Sequence, residues 1–154
     1  MKTNAKKICL AASSGGHLTQ LLKMMDGWKE HDAVYVTSSD VVLDELTELG
    51  KTYVIGECNR QHAFQLLSVF FRSVKIAVKE RPDYVLSTGS APGFMMCLAG
   101  KMVGAKVLWI DSIANVKKIS LSGRLVRPFA NMFLTQWPGL ADSGKRIEFY
   151  GSVL

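Results

Sequence analysis

The chain has 154 residues, and 48% of them are hydrophobic. That length and apolar content exclude a disordered chain and are sufficient for one domain with its own core. The formal net charge of +6 is concentrated in the second half, where Lys101–Arg127 holds six basic residues and one acid, and this bias suits phosphate-bearing partners.

The first predicted element is a strand that turns directly into a helix. Ile8–Ala12 is a short apolar run, Ser13–Gly16 interrupts it, and from His17 apolar residues resume at helical spacing. A glycine turn that opens a helix presents free N–H groups and the positive end of a dipole, and it lets a ligand approach the backbone. The turn matches neither the dinucleotide pattern nor the Walker pattern, so neither mechanism is indicated.

Strand and helix alternate along the rest of the chain. The predicted strands are Ile8–Ala12, Ala33–Thr37, Thr52–Ile55, Tyr84–Ser87, Lys106–Ile110, Phe133–Thr135 and Ile147–Tyr150. The helices predicted after the first are Asp40–Leu49, Gln61–Glu80, Pro92–Val103 and Leu121–Ala130. This alternation predicts an α/β fold, a Rossmann-like parallel sheet with helices on both faces. Ligands bind such sheets at the carboxyl ends of the strands, where the loops after the first, fourth and fifth strands meet.

The helix predicted over Gln61–Glu80 has an unusually wide apolar arc. Its polar residues form one narrow stripe, and nearly all its other residues are apolar. Packing against both the sheet and a neighbouring helix would explain the arc. The alternative is that part of it meets a membrane interface or a partner chain. The residues expected on that membrane or partner surface are Phe70, Phe71, Arg72, Lys75, Lys117, Arg124 and Trp137.

The cysteines and the N-terminus indicate a reducing compartment. Cys9, Cys58 and Cys97 are odd in number and widely spaced, which favours reduced thiols over a disulfide framework or a zinc site. The N-terminus lacks a secretory h-region, and the longest uncharged stretches are too short to cross a bilayer. We therefore expect a cytoplasmic protein.

Five motifs follow one another in an order typical of a known family. They are SSGGH after the first strand, TGSAPG after the fourth, WIDSIANVKKISLSG after the fifth, and FLTQWPGL and YGSVL near the end. Together they resemble the N-terminal half of a GT-B glycosyltransferase. More closely, they resemble the acceptor-side, membrane-associated subunit of two-chain glycosyltransferases, which act in dolichol-linked oligosaccharide synthesis and in bacterial capsular and exopolysaccharide synthesis. The resemblance extends to the N-terminal domain of the N-acetylglucosaminyltransferase that makes lipid II.

The resemblance implies a division of labour between two chains. Residues 1–154 would form one acceptor-binding domain of the GT-B N-terminal type, and a partner resembling the C-terminal half would hold the UDP-sugar. This chain would bind a polyprenyl-diphosphate-linked acceptor and recruit the partner as a peripheral protein on the cytoplasmic face of the plasma membrane. Many relatives begin with a transmembrane helix that this chain lacks, so attachment would depend on its apolar and basic surface. The expected reaction is inverting sugar transfer in capsular or exopolysaccharide synthesis.

His17 is the predicted catalytic residue. On the resemblance, its imidazole acts as general base toward a hydroxyl of the acceptor sugar, or orients that sugar. An ordinary histidine pKa of about 6.5 suits this task. The alternative is a histidine that orders the glycine turn by hydrogen bonds. No D-x-D pattern is present, and no metal or cofactor is predicted.

The predicted substrate-binding residues lie in the same loops. They are Ser14, Gly15, Gly16, Thr88, Gly89, Ser90, Asp111 and Asn115. The N–H groups of the two glycine turns would face a diphosphate, although any strand–helix turn can require such glycines. Asp111 would bind a sugar hydroxyl or a lysine, or alternatively cap a loop or helix.

Three rival functions come from other classes. A stand-alone Rossmann-type nucleotide-binding module is disfavoured by the missing third glycine and by the lack of an acidic ribose ligand after the second strand. A second rival is a non-catalytic membrane scaffold that activates the partner transferase. Only mutation of His17 would distinguish it from a subunit that shares the active site. A nucleic-acid binder is permitted by the charge, but no binding motif accompanies it, so no nucleic acid partner is expected.

Overall fold

The computed structural model describes residues 4–59 and 61–153. Its strands are β1 (Lys7–Ala12), β2 (Asp32–Thr37), β3 (Lys51–Val54), β4 (Tyr84–Ser87), β5 (Lys106–Ile110), β6 (Met132–Thr135) and β7 (Glu148–Phe149). Its α-helices are α1 (Gly16–Leu22), α2 (Leu43–Leu49), α3 (Ala63–Glu80), α4 (Ala91–Met102) and α5 (Leu121–Val126). Arg60 and the last residue of YGSVL, Leu154, lie outside the described residues.

Within this part of the chain, the seven strands form one sheet in which every neighbouring pair is parallel. The strand order is β3-β2-β1-β4-β5-β6-β7, which confirms the predicted Rossmann-like α/β fold. The chain builds outward from β1 to β3, and α3 then carries it back so that β4 pairs with the free side of β1. A crevice at the carboxyl ends of the strands beside such a reversal is the usual ligand site of doubly wound sheets.

The two faces of the sheet have separate cores. Alternation along β1 sends Leu10 and Ala12 to the face covered by α1 and α2. It sends Cys9 and Ala11 to the face covered by α3, α4 and α5, where the buried Trp109 of β5 also packs. The helices therefore lie on both faces, as predicted.

The cysteines of the described residues are free thiols. Burial raises the pKa of Cys9 to about 12 and raises that of Cys97 well above its ordinary value. Both side chains therefore behave as small apolar core groups at neutral pH.

Element ends differ from the predictions in ways that the local contacts explain. Helix α3 begins at Ala63 instead of Gln61, because the Gln61 N–H donates to Asn59 Oδ1 in a turn. Helix α5 ends at Val126 instead of Ala130, two residues before a proline that has no N–H to continue the ladder. The predicted helix over 40–49 is a 3-10 turn followed by α2, and Ser39 Oγ caps it by accepting from the Val41 N–H.

The apolar arc of α3 is buried on one side and exposed on the other. Val69, Ile76 and Ala77 are buried in the core beneath it. On the outer side, however, large apolar side chains remain in solvent at helical spacing: Phe64 (89% exposed), Leu67, Phe71 (65% exposed) and Val78. We call these four residues the α3 stripe. Among the described helices, none combines the length and the apolar content that a membrane span requires.

Candidate functional site

A cleft of about 900 Å³ opens at the carboxyl edge of the sheet, between α3 and α5. His17 and the start of α4 contribute polar groups to it. Lys118 and Arg124 are the charged side chains among the described lining residues, and no carboxylate is among them. The apolar lining residues are Leu66, Phe94, Met95, Ile119, Leu121 and Leu125. The cleft therefore offers positive charge and an apolar wall to one ligand.

His17 is held in the cleft by an interlock with the second glycine turn. Its backbone carbonyl accepts a hydrogen bond of 2.6 Å from the buried Thr88 hydroxyl. Its imidazole occupies the space beside Gly89, where any Cβ would overlap ring atoms Cδ2 and Nε2. Gly89 also has φ +136°, a conformation that only glycine adopts readily. The glycine is therefore required both by its backbone conformation and by the position of the His17 ring.

The imidazole nitrogens of His17 are left for a ligand. Within residues 4–59 and 61–153, neither ring nitrogen forms a hydrogen bond, and the ring lines the cleft. Burial lowers the pKa of His17 below 6.5, and the nearby Asp111 carboxylate opposes that shift only in part. The neutral ring is therefore the main form at pH 7. The alternative from sequence was that His17 orders the glycine turn by hydrogen bonds. The bond that it makes to the second glycine turn comes from its backbone carbonyl and not from its ring.

The SSGGH turn is only partly open to a ligand. The Ser14 N–H donates to Ser38 Oγ at 3.1 Å, and Ser38 Oγ in turn donates to Glu57 Oε1 at 2.5 Å. The predicted contact of the Ser14 N–H with a diphosphate is therefore corrected, since that group is already engaged. Gly15 and Gly16 are exposed, and Gly15 has φ +110° where the chain enters α1.

The second glycine turn is also mostly internal. Thr88 and Gly89 are buried, and the Gly89 N–H donates to Ser87 Oγ at 3.2 Å. These two residues position His17 instead of forming the predicted open nest. Ser90 Oγ accepts from the Gly93 N–H and so caps α4, and Ser90 lines the cleft.

Asp111 closes the loop that follows β5. Its Oδ1 accepts from Trp109 Nε1 at 3.0 Å and from the Ser120 hydroxyl, and its Oδ2 accepts from the Ser120 N–H at 2.9 Å. The side chain is buried, and Gly123 of α5 packs so closely that a Cβ there would lie 2.7 Å from Oδ1. Of the two predicted roles, the loop cap matches these contacts, and the carboxylate does not line the cleft.

The loop itself brings further residues to the cleft. Asn115, Ser112 and Ala114 line it, and the contact of Asn115 with the acceptor stays a prediction. The sequence reasoning missed Gln20 and Gln136, two buried amides beneath this loop. Two patterns could have indicated them: Gln20 lies one turn after His17, and Gln136 follows a strand at the ligand edge.

The residues predicted for a membrane or partner surface are divided by the structure. Phe71, Lys75, Lys117 and Arg124 are exposed. Phe70 is half-buried beside Phe71, with ring centroids 5.9 Å apart. Arg72 is also exposed, although its Nη1 donates to the Ile55 carbonyl, and the half-buried Trp137 donates from Nε1 to the Ile113 carbonyl.

The fold of this chain belongs to a known structural class. Its parallel sheet is of the type found in the N-terminal domains of GT-B glycosyltransferases. Over 96% of its length it superposes on 45% of the MurG structure from Acinetobacter baumannii, with a TM-score of 0.76 and 15% identity. It also matches 45% of a UDP-N-acetylglucosamine 2-epimerase from Rickettsia bellii (TM-score 0.71, 14% identity, 97% of this chain). The chain thus spans under half of these solved structures.

Sequence comparison identifies the family. Residues 8–153 match the model of Alg14-like oligosaccharide biosynthesis proteins, and the chain belongs to this family. A Yarrowia lipolytica relative is 29% identical over 180 residues, covering 99% of this chain and 83% of the relative. A mouse relative is 23% identical over 180 residues, covering 96% and 83% respectively. Both are named UDP-N-acetylglucosamine transferase subunit ALG14.

These relatives bear on the predicted biological setting. They are proteins of a yeast and of mouse, and their names refer to a transferase subunit. The predicted family of glycosyltransferase subunits in oligosaccharide synthesis is therefore confirmed. The capsular or exopolysaccharide setting receives no support from them.

Proposed function

We propose that this chain is the acceptor-side subunit of a two-part inverting glycosyltransferase. It binds a polyprenyl-diphosphate-linked sugar, and a partner that resembles the C-terminal half of a GT-B enzyme holds the UDP-sugar. The observation that carries the proposal is the His17 imidazole, neutral and without a hydrogen-bond partner among the described residues, in a cleft at the ligand edge of the sheet.

The composition of the cleft supports an amphiphilic, anionic acceptor. Lys118 and Arg124 supply positive charge without a competing carboxylate, and the N-terminal end of α4 points its dipole at the same space. Phe94 and Leu125 belong to an apolar wall on which the first isoprene units would pack. A nucleotide sugar alone would not need that wall.

The chemistry assigned to His17 is proton removal. As the acceptor hydroxyl attacks the anomeric carbon, its proton moves to the imidazole, and the bond from that carbon to the diphosphate breaks. UDP leaves with the electron pair of the broken bond, and the configuration at the anomeric carbon inverts. A neutral imidazole at pH 7 is the form able to accept the proton.

The donor is proposed from the relatives. Their name specifies UDP-N-acetylglucosamine, so we assign that donor to the complex and place its binding mainly on the partner. We propose that the described domain presents the carboxyl edge of its sheet to the partner. Capsular or exopolysaccharide synthesis stays a prediction from the motifs alone.

We further propose peripheral attachment to the cytoplasmic face of a membrane. The α3 stripe lies on the helix that borders the cleft through Leu66, and Lys75 and Lys79 belong to the same helix. On the other side of α5, a groove of about 360 Å³ is lined by one acid, Asp142, which pairs with Lys145 at 3.0 Å, and by five basic residues: Lys117, Lys118, Arg124, Arg127 and Lys145. Apolar side chains between lysines and arginines suit a surface of anionic lipids. The acceptor's lipid would then enter the cleft from the membrane.

Reconstitution tests the proposal. The chain, its partner, labelled UDP-N-acetylglucosamine and a short prenyl-diphosphate-linked sugar should give a labelled lipid product. His17→Ala and His17→Gln should lower the rate about 10²–10⁴-fold, the range for loss of a general base. His31→Ala, which changes an exposed histidine before β2, is the matched control and should have no effect.

Three results would count against the proposal. Full activity of both His17 variants would remove the catalytic role and favour the non-catalytic scaffold. Transfer by this chain without a partner would contradict the division between two subunits. Tight binding of a free nucleotide by the isolated chain would instead favour the stand-alone nucleotide-binding module.

A further inference from the structure

A buried glutamine joins three parts of the candidate site. Gln20 Nε2 donates to the Gly16 carbonyl and to Ser112 Oγ, each at 3.2 Å. Gln20 Oε1 accepts from the Ile113 N–H at 3.1 Å and from Gln136 Nε2 at 2.6 Å. Two donations and two acceptances fill the hydrogen-bonding capacity of an amide. The side chain is 9% exposed, so it is a structural hub and not a ligand contact.

Gln136 extends this network toward the end of the described chain. Its Nε2 also donates to the Asp111 carbonyl at 3.1 Å, and its Oε1 accepts from the Val153 N–H at 2.8 Å. The Ile113 N–H donates to one amide and the Val153 N–H to the other. Because both are donors, the atom that each one contacts must be the amide oxygen and not the amide nitrogen. The orientation of both amides is therefore set by backbone groups alone.

The network spans the two walls between which the acceptor sugar would lie. His17 is three residues before Gln20, on the same side of α1, and it lines the cleft together with Ser112 and Asn115 of the loop after β5. The Gln20 amide holds the Gly16 carbonyl, next to His17, and the Ile113 N–H, next to Ser112. The distance between α1 and this loop thus depends on a buried side chain that does not itself line the cleft.

We infer that Gln20 and Gln136 are positioning residues that fix the distance between His17 and the loop facing it, and thereby the rate of transfer. The inference rests on the proposed function. A shift of about 1 Å in the position of a reacting group costs about 10²-fold in rate. Loss of one amide from a filled network leaves the others unpaired, and the loop over 112–115 then loses its tie to α1.

The experiment uses the reconstituted complex with Gln20→Met. We expect kcat to fall about 10- to 100-fold while the KM for the UDP-sugar changes less than about twofold, because the donor lies mainly on the partner. Opening of the loop should also hydrate the imidazole, so the pKa of His17 measured by NMR should rise toward its ordinary value. The chain has three histidines, which makes that signal assignable.

Two further variants separate positioning from folding. Tyr35→Phe is the control, because it removes the buried hydrogen bond of 3.4 Å that Trp28 Nε1 donates to the Tyr35 hydroxyl, and this pair packs away from the cleft. It should leave kcat and the His17 pKa unchanged. The double variant Gln20→Met with Gln136→Met also leaves the Asp111 carbonyl and the Val153 N–H without their partner, so its melting temperature should lie below that of Gln20→Met while kcat per folded molecule stays low.

The outcomes are decisive in each direction. A kcat within twofold of wild type in Gln20→Met or in the double variant would overturn the inference, as would an unchanged His17 pKa in both. If the wild-type complex transfers no sugar, the proposed function fails, and the His17 pKa in Gln20→Met still decides whether the glutamines hold the loop.

Discussion

Two buried polar networks at opposite edges of the sheet are built from different groups. At the amino edge, the buried Glu80 carboxylate accepts from Tyr53 at 2.5 Å and contacts Lys51 at 2.6 Å and Lys7 at 3.2 Å. At the carboxyl edge, the network around Gln20 and Gln136 is built of amides, hydroxyls and backbone groups. The titratable ring of His17 stands beside it without a hydrogen-bond partner among the described residues.

The difference separates folding from chemistry. Burial by itself raises the pKa of Glu80, but hydrogen bonds from Lys51, Tyr53 and Lys7 outweigh it and lower that pKa to about 2. This charge is satisfied and anchors the end of α3 to β1 and β3. A neutral network at the other edge holds the cleft in place without fixing the protonation of His17. We therefore expect changes at the amino edge to affect stability and changes at the carboxyl edge to affect rate.

Gly89→Ala should have the largest effect. The new Cβ would overlap the His17 ring and would sit at φ +136°, so we expect transferase activity to fall about 100-fold or more. Gly104→Ala is the matched control, because Gly104 also has positive φ but open space around it. Equal activities of the two variants at equal folded fractions would show that the His17 interlock does not matter.

Glu80→Ala should destabilise the fold by about 2–3 kcal/mol, below the 3–5 kcal/mol for fully buried ion pairs because both lysines reach solvent. Urea unfolding measures this change. Activity per folded molecule should not change. Asp26→Ala, which removes an exposed pair with Lys29, should give no measurable shift. A loss of activity per folded molecule in Glu80→Ala would contradict the separation of the two edges.

The stability of the fold in acid should also depend on the Glu80 carboxylate. The pKa of Glu80 is about 2 in the folded chain against an ordinary 4.5, so its stabilisation is complete above pH 4.5 and is lost as the pH falls toward 2. Glu80→Gln should therefore flatten the stability curve over that interval. An identical slope for wild type and variant would show that another group controls acid unfolding.

Combined Lys118→Gln and Arg124→Gln substitutions should raise the KM for the lipid acceptor about tenfold through loss of two charge-assisted contacts. Lys29→Gln, which changes an exposed lysine distant from the cleft, is the charge control. An unchanged acceptor KM would remove the diphosphate from this cleft.

The pH dependence of transfer should show the smallest effect. Because burial lowers the pKa of His17, kcat/KM should retain more than half of its plateau value at pH 6.5. An ordinary histidine of pKa about 6.5 would retain about half. An acid limb that begins well above pH 6.5 would assign the base role to another group.

The sequence was sufficient for the fold because the relevant signals are local. Hydrophobic runs of strand length, such as Ile8–Ala12, alternate with helical patterns, and this alternation alone predicts a parallel sheet. The position of His17 at the ligand edge followed from the same reasoning. The wide arc of α3 was visible too, although which of its residues stay in solvent depends on how the helix is rotated against α4.

The partners of the site residues could not be read from the sequence, because they are distant along the chain. Asp111 faces Ser120 only after the loop closes, and Gln20 meets Gln136 across 116 positions. Ser14 loses its free N–H to Ser38 on a neighbouring strand end. A motif shows which chemical groups reach an edge, and packing decides which of them remain unpaired.

The cleft carries a native labelling site. Cys58 lines it and is half-buried, whereas Cys9 and Cys97 are fully enclosed in the core. Burial, and then the charge of Glu57, raises the pKa of the Cys58 thiol, so alkylation should be slow at pH 7 and faster in mild base. A maleimide dye should therefore attach at one position without any engineered cysteine. Protection of that thiol by a bound lipid would report occupancy of the cleft directly.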